Sequence, residues 1–341
     1  MWGGECLAGY WAADDIEPAP CCPVCGESGA SPLYSGLVDV EEGVPGQWSM
    51  SRCRACNSLF LDPRPTLAAL RKAYRSYYTH KPPGSENAIL SAKGWLPFFL
   101  RVYLRQRFGW NGKPRRGLVK AAVAFCPPLA HQLAYYMRHL PAISGRLLDV
   151  GCGNGAFMVR AMQAGWEVEG TETDEVAARV ARDSTCAQVH QGLDCVQPLT
   201  FDEVTLCHVI EHLHSPSELL RDCFRVLKPG GRIWVATPNI AGIGHRCFRS
   251  DWQPLEAPRH LAIPSMRGLE LLLRAAGFVN VRFHRRGRGS KNRIDASARR
   301  SPSSYRSWAT RFVLSQWIDL SASFSSRAAE ELVVTAEVPL S

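Results

Sequence analysis

Leu147-Leu-Asp-Val-Gly-Cys-Gly-Asn-Gly155 is the stretch that decides the fold of this 341-residue chain. A short, mostly apolar run passes directly into three alternate glycines, and a helical pattern follows. We therefore predict a strand over 147–150, a tight turn, and a helix over about 156–164. Glycine lets the backbone adopt positive φ and approach a ligand, and the free N–H groups of a helix start attract polar or anionic groups. The stretch predicts a ligand site.

Beyond this stretch, predicted strands alternate with predicted helices. This alternation is typical of a parallel sheet with helices on both faces. We predict helices that begin at Asp174, at a Ser215 capping box closed by Glu218, and at Ser265. The further strands are predicted over 166–171, 188–190, 203–209, 232–236, 278–284 and 332–338.

Other features separate the glycine turn from the G-x-G-x-x-G turn of dinucleotide enzymes. Asp149 precedes the alternate glycines by two positions, and Glu172 ends the next predicted strand. Together with Phe201-Asp202 and the turn Leu227-Lys-Pro-Gly-Gly231, these features resemble the class I S-adenosylmethionine (SAM)-dependent methyltransferases over about 146–338. The resemblance implies an α/β fold, a Rossmann-like seven-stranded and mostly parallel sheet with helices on both faces, whose last strand is antiparallel.

The same resemblance implies which residues bind SAM. Asp149 would act on the methionine amino group, directly or through water, and Glu172 would accept two hydrogen bonds from the ribose hydroxyls. Asp194, after the third strand, would meet the adenine amino group, and the alternative for it is an exposed loop carboxylate. The full cofactor set that we predict is Asp149, Gly151, Cys152, Gly153, Gly155, Glu172, Asp194 and His208.

Methyl transfer is an in-line displacement, so alignment of the reactants supplies much of the rate, and an oxygen acceptor must also lose a proton. The run His208-Val-Ile-Glu-His-Leu-His214 follows the fourth strand, at the edge of the sheet where ligands bind. We predict Glu211, His212 and His260 as catalytic residues, and the alternative for each histidine is a structural role. If the three converge, they could instead hold a divalent metal ion.

Two cysteine pairs precede this region, Cys22-Pro-Val-Cys25 and Cys53-Arg-Ala-Cys56. Pairs of this spacing close tetrahedral four-thiolate Zn²⁺ sites, so we predict that Cys22, Cys25, Cys53 and Cys56 bind zinc. Four thiolates leave no open position, which indicates a structural site or a docking module. Predicted strands over 31–40 and 47–52 fit a zinc ribbon.

We divide the chain at changes in composition and periodicity. Residues 1–20 form a leader, 21–65 the zinc-ribbon-like segment, 66–140 a helical linker or cap, and 141–341 the SAM-binding domain with an Arg/Ser-rich insertion over 287–330. A helix is predicted from Thr66 through Tyr78. Aromatic and basic residues over 95–140 indicate either a cap over the active site or an element on a membrane surface.

The net charge of +9 is concentrated over 101–120 and 282–306. One interpretation of this charge is a solvated basic surface without a partner. The other is a surface that binds an anionic partner. Thirteen cysteines, an odd number, fit reduced thiols in the cytoplasm better than a disulfide framework. We expect a cytoplasmic enzyme, with peripheral membrane contact if the acceptor is lipid-linked.

The leading hypothesis is a SAM-dependent methyltransferase of a small-molecule, glycan or lipid-linked acceptor, acting at oxygen. One alternative is an RNA or protein methyltransferase whose zinc ribbon and basic insertion bind the macromolecule. The basic residues form no recognisable RNA-binding motif, which argues against RNA. Another is a SAM-binding regulator without catalysis. The glycine spacing argues against an NAD-dependent dehydrogenase, and the missing Asn/Asp-Pro-Pro-Tyr/Phe run argues against DNA amino-methylation.

Overall fold

The computed structural model describes residues 10–74, 95–110, 119, 123, 125–287, 289–301, 305 and 307–340. The strands are β1 (Ile16–Glu17), β2 (Ala30–Leu37), β3 (Trp48–Cys53), β4 (Leu59–Leu61), β5 (Arg64–Pro65), β6 (Arg146–Val150), β7 (Glu167–Thr171), β8 (Val189–His190), β9 (Phe201–Cys207), β10 (Leu227–Pro238), β11 (Ala262–Ile263), β12 (Val279–His284) and β13 (Glu331–Glu337). The helices are α1 (Trp95–Phe108), α2 (Pro127–Tyr136), α3 (Ala156–Gln163), α4 (Glu175–Thr185), α5 (Pro216–Val226), α6 (Ile243–Phe248), α7 (Met266–Ala275), α8 (Ser290–Arg300) and α9 (Trp308–Phe324).

The main sheet has seven strands in the order β8-β7-β6-β9-β10-β13-β12. Strands β8, β7, β6, β9 and β10 are parallel to their neighbours. Strand β13 runs antiparallel to both β10 and β12. The order changes direction at β6, so the segments that follow β6 and β9 lead toward opposite sides and leave a crevice between them. The predicted fold class is confirmed.

Two motifs that carried the family resemblance are joined in space. Asp202, at the start of β9, accepts a hydrogen bond from Lys228 Nζ at 2.8 Å, and Lys228 belongs to the turn within β10. The same carboxylate accepts the Arg146 backbone N–H at 2.8 Å, where β6 begins. The acid therefore fixes the amino ends of three adjacent strands relative to one another, which sets the register of the central sheet.

Helices cover both faces of this sheet. On one face α1, α2, α3 and α4 contribute to a core that includes Leu104, Met137, Phe157 and Ala181. On the other face α5 and α7 pack against strands β9, β10 and β13. Strands at the centre are apolar on both faces because both faces are buried, as expected for parallel sheets.

The N-terminal part forms a second sheet of four strands, in the order β11-β4-β3-β2. Its outer strand β11 comes from the C-terminal half of the chain, where Ala262 pairs with Phe60 and Ile263 with Leu59. A further core cluster joins this sheet to α6, α8 and α9, and Trp48 and Trp252 are buried within it. The cysteine-bearing segment is thus packed against elements from the C-terminal half of the chain.

Three local predictions differ from the structure. After Thr66 the described chain forms only a short 3₁₀ turn, Leu70–Ala73, and the remainder of the predicted helix lies outside the described residues. Ser215 occupies the N-cap position of α5, but its side chain makes no capping hydrogen bond, so the predicted capping box is wrong. Residues 10–20, assigned to a leader, include the buried Trp11 and strand β1, which pairs with β5.

The other predicted elements agree with the structure to within a few residues. Ser265 caps α7 as predicted, because its Oγ accepts the Gly268 N–H at 2.9 Å. Asp174 likewise caps α4 through the Ala177 N–H at 2.8 Å. Of the helices in the described ranges, none combines the length and the apolar content needed to cross a membrane.

Candidate active site

The glycine turn lies at the carboxyl end of β6 and leads into α3. Gly151, Gly153 and Gly155 have φ of +66°, +54° and +80°, a region that side chains other than glycine rarely occupy. A Cβ atom at Gly151 would lie 2.6 Å from Val209 Cγ2, so this position has no space for a side chain. The turn therefore requires glycine for both conformation and packing, and it leaves its backbone accessible to a ligand.

Glu172 follows β7 and turns back onto the glycine turn. Its Oε2 accepts the Gly153 N–H at 2.9 Å, and its Oε1 accepts the Asp174 N–H at 3.0 Å. Burial raises the pKa of this carboxyl above its ordinary value, against the lowering effect of these backbone donors. The two oxygens are thus oriented by the backbone, with lone pairs left over for two adjacent hydroxyl groups.

Asp149 is completely buried in β6, just before the glycine turn. Its Oδ1 accepts hydrogen bonds from Arg138 and, at 2.9 Å, from Thr205 Oγ1. Within the described residues its Oδ2 has no hydrogen-bond partner, although the atom is buried. A buried, unpaired carboxylate oxygen is costly, so this atom fits a role in receiving a cationic amino group or a bound water.

Two other predicted cofactor residues have different surroundings. Cys152 is buried in the turn, and burial raises the pKa of its thiol, so it remains protonated and only lines the site. Asp194 lies in a short 3₁₀ turn, Leu193–Cys195, after β8 and is exposed. Its role in adenine binding stays a prediction.

His208 comes directly after β9 with a φ of +56°. Its Nδ1 lies 2.9 Å from Glu211 Oε1 and its Nε2 lies 2.7 Å from Glu331 Oε1. Burial lowers the pKa of the imidazole, but the two carboxylates outweigh burial and raise it to about 10. His208 is therefore an imidazolium at neutral pH. Its Nε2 also lies 3.2 Å from Arg293 Nη2, which donates a hydrogen bond to Glu331.

His212 lies one short turn further along the same run. Its Nδ1 is 2.9 Å from the Tyr74 hydroxyl and 3.1 Å from the carbonyl oxygen of Arg259. A carbonyl oxygen only accepts, so Nδ1 carries the proton in the neutral imidazole and Nε2 carries the lone pair. This tautomer makes Nε2 the atom that can accept a proton.

His260 stands beside His212, with ring centroids 4.6 Å apart. Its Nδ1 donates to the carbonyl of Pro254 at 2.8 Å, and burial lowers its pKa to about 4, so it is neutral at pH 7. Glu211 is also buried, and its pKa is held at about 2 because His208 outweighs the effect of burial. Ligand atoms of Glu211, His212 and His260 lie within 4.8 Å of one another, so the structure brings the predicted catalytic residues together.

The predicted zinc ligands also converge. The Sγ atoms of Cys22, Cys25, Cys53 and Cys56 all lie within 4.8 Å of one another. The Cys22–Cys56 and Cys25–Cys53 sulfur pairs are 3.7 Å and 3.5 Å apart. Tetrahedral zinc with Zn–S bonds of about 2.3 Å places its sulfurs about 3.8 Å apart. The four thiols therefore fit a structural Zn²⁺ ion.

Sequence reasoning missed two contacts from the N-terminal part to the catalytic run. Tyr74 falls within the helix predicted from Thr66 through Tyr78, whereas in the structure it follows a 3₁₀ turn and its hydroxyl contacts His212. Arg259 donates from Nη1 and Nη2 to the two Asp39 oxygens at 2.7 Å and 2.8 Å, although these residues are 220 positions apart. No pattern in the neighbouring sequence predicts either contact. Both depend on the pairing of β4 with β11.

Glu331 was also missed, although a signal existed. It begins β13, accepts hydrogen bonds from Arg286 and Arg293, and lies 3.2 Å from the Tyr135 hydroxyl. A carboxylate at the start of an otherwise apolar, buried strand needs a hydrogen-bond donor or a cation as its partner. The Glu330-Glu331 pair before the last predicted strand therefore indicated a buried polar site. His214, the remaining histidine of the catalytic run, lies 2.8 Å from the Pro65 carbonyl, which indicates a structural role.

Residues 118–282, which contain the glycine turn, Glu172 and the histidine run, match the family model described as a methyltransferase domain. This match covers just under half of the chain. The seven-stranded sheet continues beyond it through β13.

Among curated proteins, this chain is similar to the ubiquinone biosynthesis O-methyltransferases of Idiomarina loihiensis and Pseudomonas entomophila. Identity is 32% over 119 residues, or 32% of this chain and 49% of the relative, for the former. It is 33% over 106 residues, or 28% and 44%, for the latter. The chain spans about half the length of the curated relatives it matches.

Solved structures similar to the chain include a SAM-dependent methyltransferase from Archaeoglobus fulgidus, with 19% identity, a TM-score of 0.40, and coverage of 69% of this chain and 98% of that one. Another is phosphoethanolamine N-methyltransferase 2 from Haemonchus contortus, with 17% identity, a TM-score of 0.45, and coverage of 91% and 69%.

Proposed function

We propose that the protein transfers the methyl group of SAM to an oxygen atom of a small-molecule acceptor, which includes glycan or lipid-linked molecules. The observation that carries this proposal is the position of His212 Nδ1 between the Arg259 carbonyl and the Tyr74 hydroxyl, which leaves Nε2 as a proton acceptor beside the cofactor turn. The similarity to O-methyltransferases supports the same choice of acceptor atom.

The cofactor would lie across the carboxyl ends of β6 and β7. Glu172 would bind both ribose hydroxyls, the glycine backbone would approach the methionine and ribose portions, and Asp149 Oδ2 would meet the amino group. The donors and acceptors present fit a zwitterion with a diol, since Asp149 Oδ2 is unpaired among the described residues and each Glu172 oxygen keeps a lone pair beside its backbone donor. Bound SAM supplies an electrophilic methyl group with a neutral thioether as its leaving group.

The residues of the chain then have two tasks, alignment and proton removal. His212 Nε2 would take the proton of the acceptor hydroxyl as the oxygen attacks, while the Arg259 carbonyl stabilises the imidazolium that forms. Tyr74 holds the ring in the same orientation; burial raises its pKa, so it remains a neutral phenol. Glu211, ionised beside His208, contributes negative charge that stabilises a protonated His212.

Neutral His260 packs against the same ring and excludes water from it. It is a weak base, because burial lowers its pKa to about 4. Its proposed role is therefore to position His212, and His212 is the proposed base.

A second role for the site is favoured by the convergence of Glu211, His212 and His260 within 4.8 Å. A carboxylate and two neutral imidazoles are competent ligands for a divalent cation, which would bind the acceptor oxygen and lower its pKa. Activity that disappears with a chelator, and returns with Mg²⁺ or Mn²⁺ but not with Zn²⁺ alone, would support the metal role. Activity that survives chelation would support proton removal by His212.

The test has two stages. Calorimetric titration with SAM, S-adenosylhomocysteine and NAD should show binding of both adenosyl ligands and none of NAD. Labelled SAM with a panel of phenols, glycans and lipid-linked hydroxyl compounds should then show transfer that His212→Gln abolishes and His284→Gln retains. His284 lies on the edge strand β12 and contacts Thr335 of β13. Folded protein that binds no adenosyl ligand would refute the proposal.

The alternative of a SAM-binding regulator is tested by the same variants. A regulator would bind SAM with unchanged affinity in His212→Gln and would transfer no methyl group to any acceptor. Transfer to RNA or protein in the labelled assay, with none to small molecules, would support the macromolecular alternative.

A further inference from the structure

Helix α9 exposes an apolar face to solvent. Six large apolar side chains along this 17-residue helix are between 47% and 72% exposed. They are Trp308, Phe312, Val313, Trp317, Leu320 and Phe324. Four of these six residues, at positions 313, 317, 320 and 324, are spaced by four, three and four residues and so form one line on the helix. Monomeric soluble proteins seldom expose a continuous apolar face of this kind.

The opposite face of α9 is fixed to the protein. Ser315 and Ile318 are buried, and the Ser290 hydroxyl donates to the Ser315 carbonyl at 2.9 Å. Arg311 Nε donates to Asp295 of α8 at 2.8 Å. The helix is thus anchored through one side, and no part of the described chain covers its outer side.

The charges of α9 point away from its outer face. The helix contains two charged residues, Arg311 and Asp319, and both bond to α8 or its first turn: Arg311 to Asp295, and Asp319 to the Ser290 N–H at 3.2 Å. The outer face therefore carries no formal charge. It presents tryptophan and phenylalanine instead, which are the side chains that favour the boundary between water and lipid.

Cations dominate the segment that leads into this helix. Residues 282–311 contain ten lysines and arginines against one aspartate. Arg285, Lys291 and Arg299 are exposed. A second copy of the chain docked on the same face would bring these like charges together, whereas each cation beside an anionic bilayer contributes about 1 kcal/mol of attraction.

An exposed aromatic residue precedes α2, whose start lies close to the C-terminal end of α9. Phe125, just before α2, is 89% exposed. The start of α2 lies at the C-terminal end of α9, since a Cβ built at Gly287 would lie 2.8 Å from Pro128 Cα and 2.6 Å from Ser323 Oγ.

We propose that the outer face of α9 docks the protein onto an anionic lipid bilayer, with α9 lying in the plane of the interface. Trp317 and Leu320 enter the acyl boundary, and the exposed cations Arg285, Lys291 and Arg299 meet the phosphate groups. Docking does not depend on the proposed methyl transfer. If that function holds, docking brings a lipid-linked acceptor near the site, because Arg293 of α8 reaches Glu331 and His208.

Sedimentation with vesicles tests the proposal without SAM or acceptor. The full chain should sediment with phosphatidylcholine–phosphatidylglycerol vesicles and weakly with phosphatidylcholine alone. Val313→Glu/Leu320→Glu should reduce the partition coefficient on the order of 100-fold, from the lost burial of two aliphatic side chains. The matched control is Val176→Glu/Leu271→Glu, which alters residues 50% and 43% exposed on α4 and α7 and should leave partition unchanged.

Lipids brominated on the acyl chain give an independent readout. They should quench part of the tryptophan fluorescence, and Trp317→Phe should remove much of the quenched fraction. Absence of binding by folded wild-type chain, or equal loss in both double variants, would overturn the proposal. A wild-type dimer in analytical ultracentrifugation that Val313→Glu/Leu320→Glu converts to a monomer would overturn it too, because the face would then be a self-interface.

Discussion

Replacing Glu172 by glutamine isolates the contribution of its second carboxylate oxygen. Both oxygens already accept a backbone N–H, from Gly153 at 2.9 Å and from Asp174 at 3.0 Å. An amide keeps one acceptor and turns its NH₂ group toward the other N–H. One backbone donor then loses its partner, and one of the two ribose hydroxyls loses its acceptor.

Hydrogen bonds to charged groups contribute about 1.5–3 kcal/mol each. The loss of one ribose bond, together with the misoriented turn, should weaken the binding of S-adenosylhomocysteine by about 3 kcal/mol, which is on the order of 100-fold in Kd. Calorimetric titration measures this directly. Glu167→Gln is the control, because the Glu167 side chain lies at the opposite end of β7 and is 82% exposed.

A Glu172→Gln protein that melts cooperatively and binds S-adenosylhomocysteine as tightly as wild type would refute this reasoning. The carboxylate would then serve only to hold the glycine turn, and the ribose would bind elsewhere. Loss of affinity in Glu167→Gln of similar size would also contradict it, since that change reaches no proposed ligand contact.

Three further outcomes are expected. Tyr74→Phe should lower kcat on the order of tenfold with KM retained, because it releases the His212 ring; an unchanged kcat would contradict this. His260 should contribute about 3 kcal/mol to the fall in the free energy of unfolding from pH 7 to pH 4, since the unfolded imidazole takes up a proton near pH 6.5 and the folded one only near its pKa of about 4. In urea titrations His260→Gln should lose that share of the fall, and a slope equal to wild type would refute it. Cys56→Ser should lose bound zinc and its cooperative thermal transition, whereas Cys21→Ser should retain both.

Local patterns were sufficient to predict the central sheet. The glycine turn, the apolar runs and the caps at Asp174 and Ser265 each reflect interactions among residues close in sequence, so their positions follow from periodicity and side-chain chemistry. Strand β13 was predicted as antiparallel only through the family resemblance. The four cysteines were predicted from spacing alone, because two Cys-x-x-Cys pairs have few other uses.

Contacts between distant segments could not be predicted in this way. The bidentate pair of Arg259 with Asp39 and the approach of Tyr74 to His212 require the N-terminal sheet to lie against the catalytic run. The state of His208 was missed for the same reason. Its positive charge depends on Glu211, three positions away, and on Glu331, 123 positions away, and the sequence around His208 gives no sign of the second partner.

The pairing of β4 with β11 has a consequence for synthesis on the ribosome. Leu59 leaves the exit tunnel long before its partner Ile263 is translated, so the N-terminal sheet must wait for its fourth strand. During that interval β4 is an unprotected edge, open to pairing with other nascent chains. Early capture of zinc by the four cysteines would hold the nascent segment compact until the partner strand arrives.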